Sequence, residues 1–421
     1  MNLTTNKNKT SKMKKNKKLS IFSGLVSLII IAVSTTMSAI IGSLLTTSSY
    51  DVDYTNSVKD KTLSLSFEYQ TKSITSSAQL SNSSSETILS GTGWIWKNEG
   101  NYYYIATNMH VAAALTFPSY TFQAYDDSSS LKTVSYSELS KASIGFQSDF
   151  SSDLITLSLV STPIVVYTTL NDKEYNNAIN EDYSYYYNSQ KLTGISDICI
   201  LRYDFSKTNI SGNNENYIYL FNEWLYNYSL DQTYVFDGYV SLKKKKYFSG
   251  GYPAVISPIG IKQLKWTPLS NFSVNDEVTK NYSNGWDVLN NNKSNTASSP
   301  LSFIDTKFIS TKYPDLYASQ QTSKNFSSKP ESTNFINTGY TGYFNAYSDH
   351  GASGSLIGTS INGKFAVIGI YWGSSKFNIS NKNGTVTKEL GAFDLFVSSK
   401  YNLVNSINDA INNDYANIQT K

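Results

Sequence analysis

Short runs of apolar and aromatic residues, separated by polar loops, constrain the fold of this chain more than any other feature. Runs of this length, bounded by turn-forming residues, are typical of β-strands. Aromatic residues make up 14% of the chain, with 33 Tyr, and they favour the pleated surface of a sheet. The runs are Thr87–Trp96, Asn101–Thr107, Thr121–Ala124, Leu154–Val160, Ile164–Thr168, Ile198–Tyr203, Tyr217–Phe221, Ala254–Ile256, Phe303–Ile304, Leu356–Ile357, Phe365–Trp372 and Ala392–Val397.

These runs form two series, followed by a single helical pattern. The first series opens with a hairpin signal around Lys97–Gly100, and the second opens at Gly250–Pro253. In Tyr401–Asn413 the apolar residues recur at helical spacing. We therefore predict an all-β fold, a chymotrypsin/trypsin-like double β-barrel with long loop insertions and a C-terminal helix; the alternative is one large sandwich.

The chain begins with a basic segment that precedes a long apolar run. Residues 1–18 carry seven Lys, and no charged residue follows Lys18 until Asp51. An apolar run as long as residues 19–45 can span a bilayer, with the positive residues kept on the cytoplasmic side. We predict a signal-anchor in a single-pass cell-membrane protein with its body outside the cell. A cleaved signal peptide, which would give a secreted protein, and a buried core helix are the alternatives.

Together these signals divide the chain into six parts. The predicted parts are a basic cytoplasmic segment (1–18), the signal-anchor or signal peptide (19–45), a Ser/Thr-rich stalk (46–85), an N-terminal β-barrel with insertions (86–245), a C-terminal β-barrel (246–400) and a C-terminal helix and tail (401–421). The tracts predicted to be polar loops are Glu174–Asn188, Asn271–Pro300 and Ser319–Asn337.

Charge and cysteine content exclude several classes of function. The formal net charge is +3, but without the seven N-terminal Lys the chain holds 28 basic against 32 acidic residues. A mildly acidic body argues against nucleic-acid binding. Cys199 is the only cysteine, so the chain has neither an intrachain disulfide nor a cysteine metal site. His110 and His350 do not stand at metal spacing, and phosphate-binding glycine motifs are lacking, so we predict no metal and no cofactor.

The remaining chemistry is that of a nucleophile, a base and an acid. His110 follows a strand-like run and a turn, where a lone histidine is more often an ordinary core residue. Ser353 stands between Gly351 and Gly354, just before an apolar strand, a pattern also found in plain glycine turns. The backbone N–H groups of Gly351 and Ser353 could converge on one point as an oxyanion hole.

Two carboxylates could orient the histidine and stabilise its charged form. Asp197 and Asp153 each stand at the start of an apolar strand-like run, where Asp is common. The residues alone leave the two candidates open. Further along the chain, the run that holds Tyr371, Trp372 and Gly373 ends in aromatic residues and a glycine.

The order of these motifs is that of a trypsin-like protease. Within that superfamily the chain resembles the mycoplasma immunoglobulin-specific serine proteases, over roughly residues 87–410. The motifs that carry the resemblance are Gly91-Thr92-Gly93-Trp94, Tyr104-Ile105-Ala106-Thr107-Asn108-Met109-His110-Val111, the strand Asp197–Phe205, Gly251-Tyr252-Pro253, Gly351-Ala352-Ser353-Gly354-Ser355 and Tyr371-Trp372-Gly373.

The resemblance implies a role for each site residue. Ser353 would be the nucleophile, His110 the base and then the acid, and Gly351 with Ser353 the oxyanion hole. Asp197 would orient His110, and is preferred to Asp153 because its strand is closer to the family pattern. Tyr371, Trp372 and Gly373 would line the substrate groove. Tyr347 stands where such enzymes often form the pocket floor, and carries no charge to favour basic side chains.

The resemblance also implies a substrate and a partner. We predict a surface-exposed serine endopeptidase that cuts a host protein through an acyl-enzyme, and the resemblance implies immunoglobulin heavy chain as that protein. A separate immunoglobulin-binding protein would present the substrate. The family's lipoprotein cysteine is missing, which leaves residues 19–45 for membrane attachment. The alternatives are a catalytically silent surface adhesin or immunoglobulin-binding module, whose Tyr, Ser and Asn would suit adaptable recognition, and an envelope quality-control protease.

Overall fold

Strands make up 45% of the computed structural model of this chain. The structure describes residues 52–74, 80–112, 115, 121–125, 131–148, 153–170, 172–180, 185–187, 190–256, 262–281, 335–381 and 384–420. The predicted basic segment and signal-anchor (1–18 and 19–45) and the run Phe303–Ile304 lie outside these residues. Among the described residues, no helix has both the length and the hydropathy needed to cross a bilayer.

Strands and short helices alternate along the chain. In order they are α1 (Thr55–Lys59), β1 (Thr62–Ile74), β2 (Leu80–Glu99), β3 (Tyr102–Thr107), β4 (Thr121–Tyr125), β5 (Leu131–Phe146), β6 (Ile155–Leu159), β7 (Ile164–Thr168), α2 (Lys173–Asn180), β8 (Tyr185–Tyr187), β9 (Gln190–Ile195), β10 (Cys199–Asp204), α3 (Lys207–Ile210), α4 (Glu215–Leu230), β11 (Tyr247–Gly251), β12 (Ala254–Ile256), β13 (Lys262–Leu264), β14 (Thr267–Phe272), α5 (Asp276–Asn281), β15 (Phe335–Asn337), β16 (Thr341–Phe344), β17 (Leu356–Ile361), β18 (Lys364–Asn381), β19 (Gly384–Leu395) and α6 (Leu403–Gln419).

The first large sheet has the strand order β4-β5-β1-β2-β3-β10-β7, with β6 paired to β5. Its pairings are antiparallel. In β1, Leu63, Leu65 and Phe67 are buried, because alternate residues of a strand share one face. They pack in one core with residues of the neighbouring strands and with Phe221 and Trp224 of α4.

The second large sheet has the order β14-β11-β17-β18-β19-β16, again with antiparallel pairings. Tyr247, Ile357 and Phe393 belong to its own core. A further cluster joins the two sheets, since Trp94 and Tyr104 of the first pack there with Val367 and Ile370 of the second.

Helix α6 covers this shared cluster. Its N-cap, Asn402, accepts hydrogen bonds from the backbone N–H groups of Val404 and Asn405. Trp96 Nε1 of β2 donates to Asn408 Oδ1 of the helix at 2.9 Å. The residues that α6 buries are Leu403, Val404, Ile407 and Ile411, those whose helical spacing predicted the helix.

The predicted barrels require one correction. Within the described part of the chain neither large sheet is closed, because β4 and β7 end the path of the first and β14 and β16 end the second. The structure therefore shows a mostly β fold of two antiparallel sheets, and the double β-barrel remains a prediction. Residues Tyr54–Lys421 form one compact unit, so the boundary predicted at 245/246 falls inside it.

The structure also differs from the sequence-based assignment in several segments, and the predicted loops Asn271–Pro300 and Ser319–Asn337 contain α5 and β15. Part of the predicted stalk (46–85) forms α1, β1 and the start of β2. Strands β1 and β2 pair with each other in the first sheet. The predicted strand Tyr217–Phe221 lies inside α4, because Phe221, Trp224 and Tyr228 recur at helical spacing and are buried on one side. The tract Glu174–Asn188, predicted to be a loop, contains most of α2 and all of β8.

Candidate active site

His110 lies in the turn that follows β3. Its neighbours Met109 and Val111 are buried, which fixes the turn against the first core, while 29% of the His110 side chain is exposed. Asn108 Nδ2 donates to the backbone carbonyl of Asp197 at 2.6 Å, so the turn is tied to the segment before β10. The fold thus holds a histidine rigidly with part of its ring open to solvent.

The His110 ring contacts the Asp197 carboxylate. His110 Nδ1 lies 2.6 Å from Asp197 Oδ2, and the His110 backbone N–H donates to Oδ1 at 3.3 Å. The Asp197 side chain is completely buried. Because a carboxylate only accepts hydrogen bonds, Nδ1 carries the proton and Nε2 is left as the basic nitrogen. This pairing fixes the orientation of the ring.

Asp153, the alternative acid, is exposed and stands just before β6. Cys199 is buried two residues after Asp197, and burial together with the Asp197 charge raises the pKa of its thiol. A thiol held neutral in this way is a poor nucleophile. Among the described residues, no group of three or more His, Cys, Asp or Glu could hold a metal ion.

Ser353 lies in a tight turn between two glycines with positive φ. Gly351 has φ +98° and Gly354 has φ +93°, a conformation that side chains with a Cβ rarely adopt. A Cβ on Gly351 would lie 2.6 Å from the backbone carbonyl of Tyr252. A Cβ on Gly354 would collide with the Thr92 carbonyl and approach Thr107 Oγ1 to 2.6 Å. The glycines therefore let the loop pack directly on β2 and on the ends of β3 and β11.

Two peptide groups in this loop are fixed through their carbonyl oxygens. The His350 carbonyl accepts from the Ala254 N–H at 2.8 Å. The Ala352 carbonyl accepts from the Ser355 N–H at 3.0 Å and from Ser355 Oγ at 2.6 Å.

The C=O and N–H of a trans peptide point in opposite directions. Fixing the carbonyls of His350 and Ala352 therefore turns the N–H groups of Gly351 and Ser353 away from these anchors. Both oxyanion-hole candidates are in this way oriented before any substrate arrives.

Thr92 of β2 ties the loop to the first sheet. Its N–H donates to the Ser353 carbonyl and its Oγ1 donates to the Gly351 carbonyl, each at 2.8 Å. The same Oγ1 accepts from the Tyr252 N–H at 2.9 Å, and the Thr92 carbonyl accepts from Thr107 Oγ1 at 2.7 Å. This positioning role was missing from the sequence-based assignment, although the motif around Thr92 was among those singled out.

Strand β18 runs beside the same loop. The Tyr371 carbonyl accepts from the Gly354 N–H at 2.9 Å, and the Tyr371 N–H donates to the Ser355 carbonyl at 2.8 Å. Burial raises the pKa of Tyr371, so its phenol stays protonated and donates to the Ser348 carbonyl at 2.9 Å. This hydrogen bond holds the residues that lead into Gly351 and Ser353 against β18.

The ladder between β18 and β19 is irregular at the other two groove candidates, although Gly373 still pairs with Ala392. The pairing of β18 with β19 shifts register between Tyr371 and Gly373, which places an irregularity at Trp372. Trp372 is partly buried, and a Cβ on Gly373 would meet open space. Tyr347, proposed for a pocket floor, is 49% exposed.

The chain matches one protein family. A family model described as mycoplasma immunoglobulin protease matches residues 52–373, well over half of the chain. The matched segment contains His110, Asp197 and Ser353 and ends at Gly373. No curated protein matches the chain.

Among solved structures, the chain is similar to a thermostable serine protease, AL20, from an extremophilic microorganism. The two share 8% sequence identity over 78% of this chain and 90% of that one, with a TM-score of 0.28. A similarity this low carries no argument about function, whereas the family match covers each of the residues brought together above.

Proposed function

We propose that this chain, which belongs to the mycoplasma immunoglobulin protease family, is a serine endopeptidase of trypsin-like fold. The family supports a protease; the serine mechanism and its residues are our inference. The observation that carries the proposal is the 2.6 Å contact between His110 Nδ1 and the buried Asp197 carboxylate. A histidine held in this tautomer presents a basic Nε2, which is what the activation of a serine requires.

The packing of the Ser353 loop supports the choice of nucleophile. Gly354 packs against Thr107, and His110 follows Thr107 by three residues along the same turn. The loop is thus docked onto the segment that presents the base. In the proposed reaction Ser353 Oγ attacks the scissile carbonyl while His110 takes its proton, and an acyl-enzyme forms. His110 then protonates the leaving amine, and water releases the acyl group by the same steps.

The orientation of two backbone amides supports the proposed oxyanion hole. The negative oxygen of the tetrahedral intermediate would accept from the N–H groups of Gly351 and Ser353, whose directions are fixed beforehand. Donors that are already oriented stabilise charge at the moment it develops and need no reorganisation. Tyr371, Trp372 and Gly373 would line the groove beside this centre.

The family description supports an immunoglobulin as the protein substrate, and we propose its heavy chain. A separate immunoglobulin-binding protein is proposed as the partner that presents it. We also propose that the body lies outside the cell, attached through residues 19–45. The uncharged Tyr347 offers no reason for cleavage after basic residues.

The decisive experiment incubates the purified full-length chain with immunoglobulin and, separately, with denatured casein. The wild type should cleave immunoglobulin, and the matched variant Ser353→Ala should cleave neither protein. A truncated heavy chain on a denaturing gel, with the new terminus identified by mass spectrometry, is the measurement.

Each alternative function gives a different result. A wild type that binds immunoglobulin but cleaves nothing, with the presenting partner added, would point to the adhesin. Cleavage of casein alone would point to envelope quality control. Cleavage that survives Ser353→Ala would exclude Ser353 as the nucleophile.

A further inference from the structure

A second buried carboxylate lies directly behind Asp197. Asp394 Oδ2 accepts from Ser196 Oγ at 2.9 Å and from the Asp197 backbone N–H at 3.4 Å. Asp394 Oδ1 accepts from Thr341 Oγ1 at 2.9 Å. The Asp394 side chain is completely buried, as is that of Asp197. The peptide that carries the proposed catalytic acid therefore rests on another acid.

Asp394 belongs to the second sheet, whereas Asp197 leads into the first. On β19, Asp394 pairs with Ile370 of β18 on one side and with Thr341 of β16 on the other. A side chain at Gly339 would collide with the carboxylate, since its Cβ would lie 2.5 Å from Asp394 Oδ2. The fold thus leaves room for this carboxylate and points it across the junction at Ser196 and Asp197.

Burying this carboxylate carries a cost. Burial raises the pKa of Asp394 to about 6, hydrogen bonds from Asn337, Ser196 and Thr341 oppose the rise, and the charge of Asp197 adds to it. A buried charge with a second carboxylate beside it is not a good source of stability. Its contacts with Ser196 and with the Asp197 peptide suggest another use.

We propose that Asp394 is a positioning residue, which holds the Ser196–Asp197 peptide so that the Asp197 carboxylate meets His110. The inference rests on the proposed serine-protease function, and Asp394 lies beyond the segment that the family model matches. Ser196 is fixed from its other side as well, because Thr169 Oγ1 donates to the Ser196 carbonyl at 2.8 Å. The hydrogen bonds with Asp394 and Thr169 together fix the orientation of the Ser196–Asp197 peptide.

The charge of Asp394 also acts on Asp197. The titratable groups that face Asp394 are Asp197 from the segment before β10, Tyr175 from α2 and Tyr401 from the segment before α6. Burial keeps both phenols neutral by raising the pKa of each. The ionised Asp394 therefore places its negative charge beside the Asp197 carboxylate, which contacts His110.

The test measures the rate at which a fluorophosphonate labels Ser353 in the full-length chain, as a function of pH. This probe needs no knowledge of the natural substrate. Asp394→Asn keeps the size of the side chain and removes its charge. We expect labelling at pH 7.5 to slow by roughly tenfold, which corresponds to a rise of about 1.4 kcal/mol in the activation free energy. We also expect the acid limb of the profile to change below about pH 6, where Asp394 takes up its proton in the wild type and the variant has no group to protonate.

Stability separates a positioning role from a merely structural one. Asp394→Asn removes a desolvated charge, so the Tm at pH 8 should be unchanged or raised while labelling slows. The matched control is Asp414→Asn, which makes the same chemical change in a carboxylate that contacts Arg202 and Tyr104, outside the site. It should label at the wild-type rate.

A second variant tests the route of action. Ser196→Ala removes the hydroxyl that reaches Asp394, and its effect on labelling should not add to that of Asp394→Asn. An Asp394→Asn variant with the wild-type rate and pH profile would overturn the proposal, as would a rate loss matched by an equal loss of folded protein. A wild type in which Ser353 is not labelled would overturn the proposed function as well.

Discussion

At the scale of single residues, the site depends on which acid faces the histidine. Sequence spacing left Asp197 and Asp153 open, because both head apolar strands. In the structure the buried Asp197 contacts His110 through its carboxylate and accepts from the His110 backbone N–H, whereas Asp153 is exposed. The contact depends on long-range packing, since 87 positions separate the two residues.

Substituting each acid in turn distinguishes the two candidates. Asp197→Asn should lower kcat by about 10³–10⁴-fold with little change in KM, because an amide stabilises the wrong tautomer of the histidine. Asp153→Asn, the matched control, should leave kcat near the wild-type value. Steady-state hydrolysis of casein measures both. The opposite ranking would reassign the acid to Asp153.

At the scale of elements, strand β2 holds the nucleophile loop through Thr92, which lies inside the strand. This buried residue uses its N–H, its C=O and its hydroxyl in hydrogen bonds, to Gly351, Ser353, Tyr252 and Thr107. Thr92→Val keeps the shape and the backbone bonds but leaves the Gly351 carbonyl and the Tyr252 N–H without the hydroxyl. Leaving buried groups unpaired costs about 1–3 kcal/mol each.

We therefore expect Thr92→Val to lower both stability and kcat. The free energy of unfolding should fall by about 1–3 kcal/mol. A loop that spends part of its time misaligned should reduce kcat by roughly tenfold. Thr92→Ser, which retains the hydroxyl, should stay close to the wild type in both. Urea unfolding and casein hydrolysis are the measurements, and a Val variant with full activity would show that the loop holds its own shape.

The sequence predicted elements well where the pattern is local. Short apolar and aromatic runs marked β3, β7, β10 and several other strands, and helical spacing marked α6, whereas β5, β14 and β16 were missed. The run Tyr217–Phe221 was misassigned because a short aromatic stretch fits either period, and only Trp224 and Tyr228 beyond it reveal the helix. The strand β1 was hidden within a Ser/Thr-rich stretch, although Leu63, Leu65 and Phe67 alternate there. Asp394 carried no local signal, because its partners come from distant parts of the chain.

At the scale of the whole molecule, the proposed catalytic residues come from both sheets. His110 and Asp197 belong to the first, and Ser353 precedes the first residue of β17 in the second. Thr92 of the first sheet binds the Ser353 loop of the second sheet, and Asp394 of the second sheet binds Ser196 beside the first. The site therefore exists only when the sheets are docked on each other.

Asp394 also makes global stability depend on pH. Its pKa is about 6 when folded and about 3.8 in the unfolded reference, so the folded state binds this proton more tightly. Stability from this group is present below pH 4 and is lost as pH rises through 6. The difference in unfolding free energy between Asp394→Asn and the wild type should therefore shift by up to about 3 kcal/mol from pH 4 to pH 7 in favour of the variant. Parallel stability curves for the two proteins would contradict this.

Cys199 lies in the interior of the first sheet, where β10 is flanked by β3 and β7. Its sulfhydryl is sealed from dissolved alkylating reagents for as long as both neighbouring strands stay in place. Each alkylation of Cys199 therefore requires an opening motion in which β10 separates from its neighbouring strands. Asp197 stands two residues upstream of the only thiol in the chain. The rate at which that thiol is alkylated in the native protein therefore reports how long the proposed catalytic centre stays assembled.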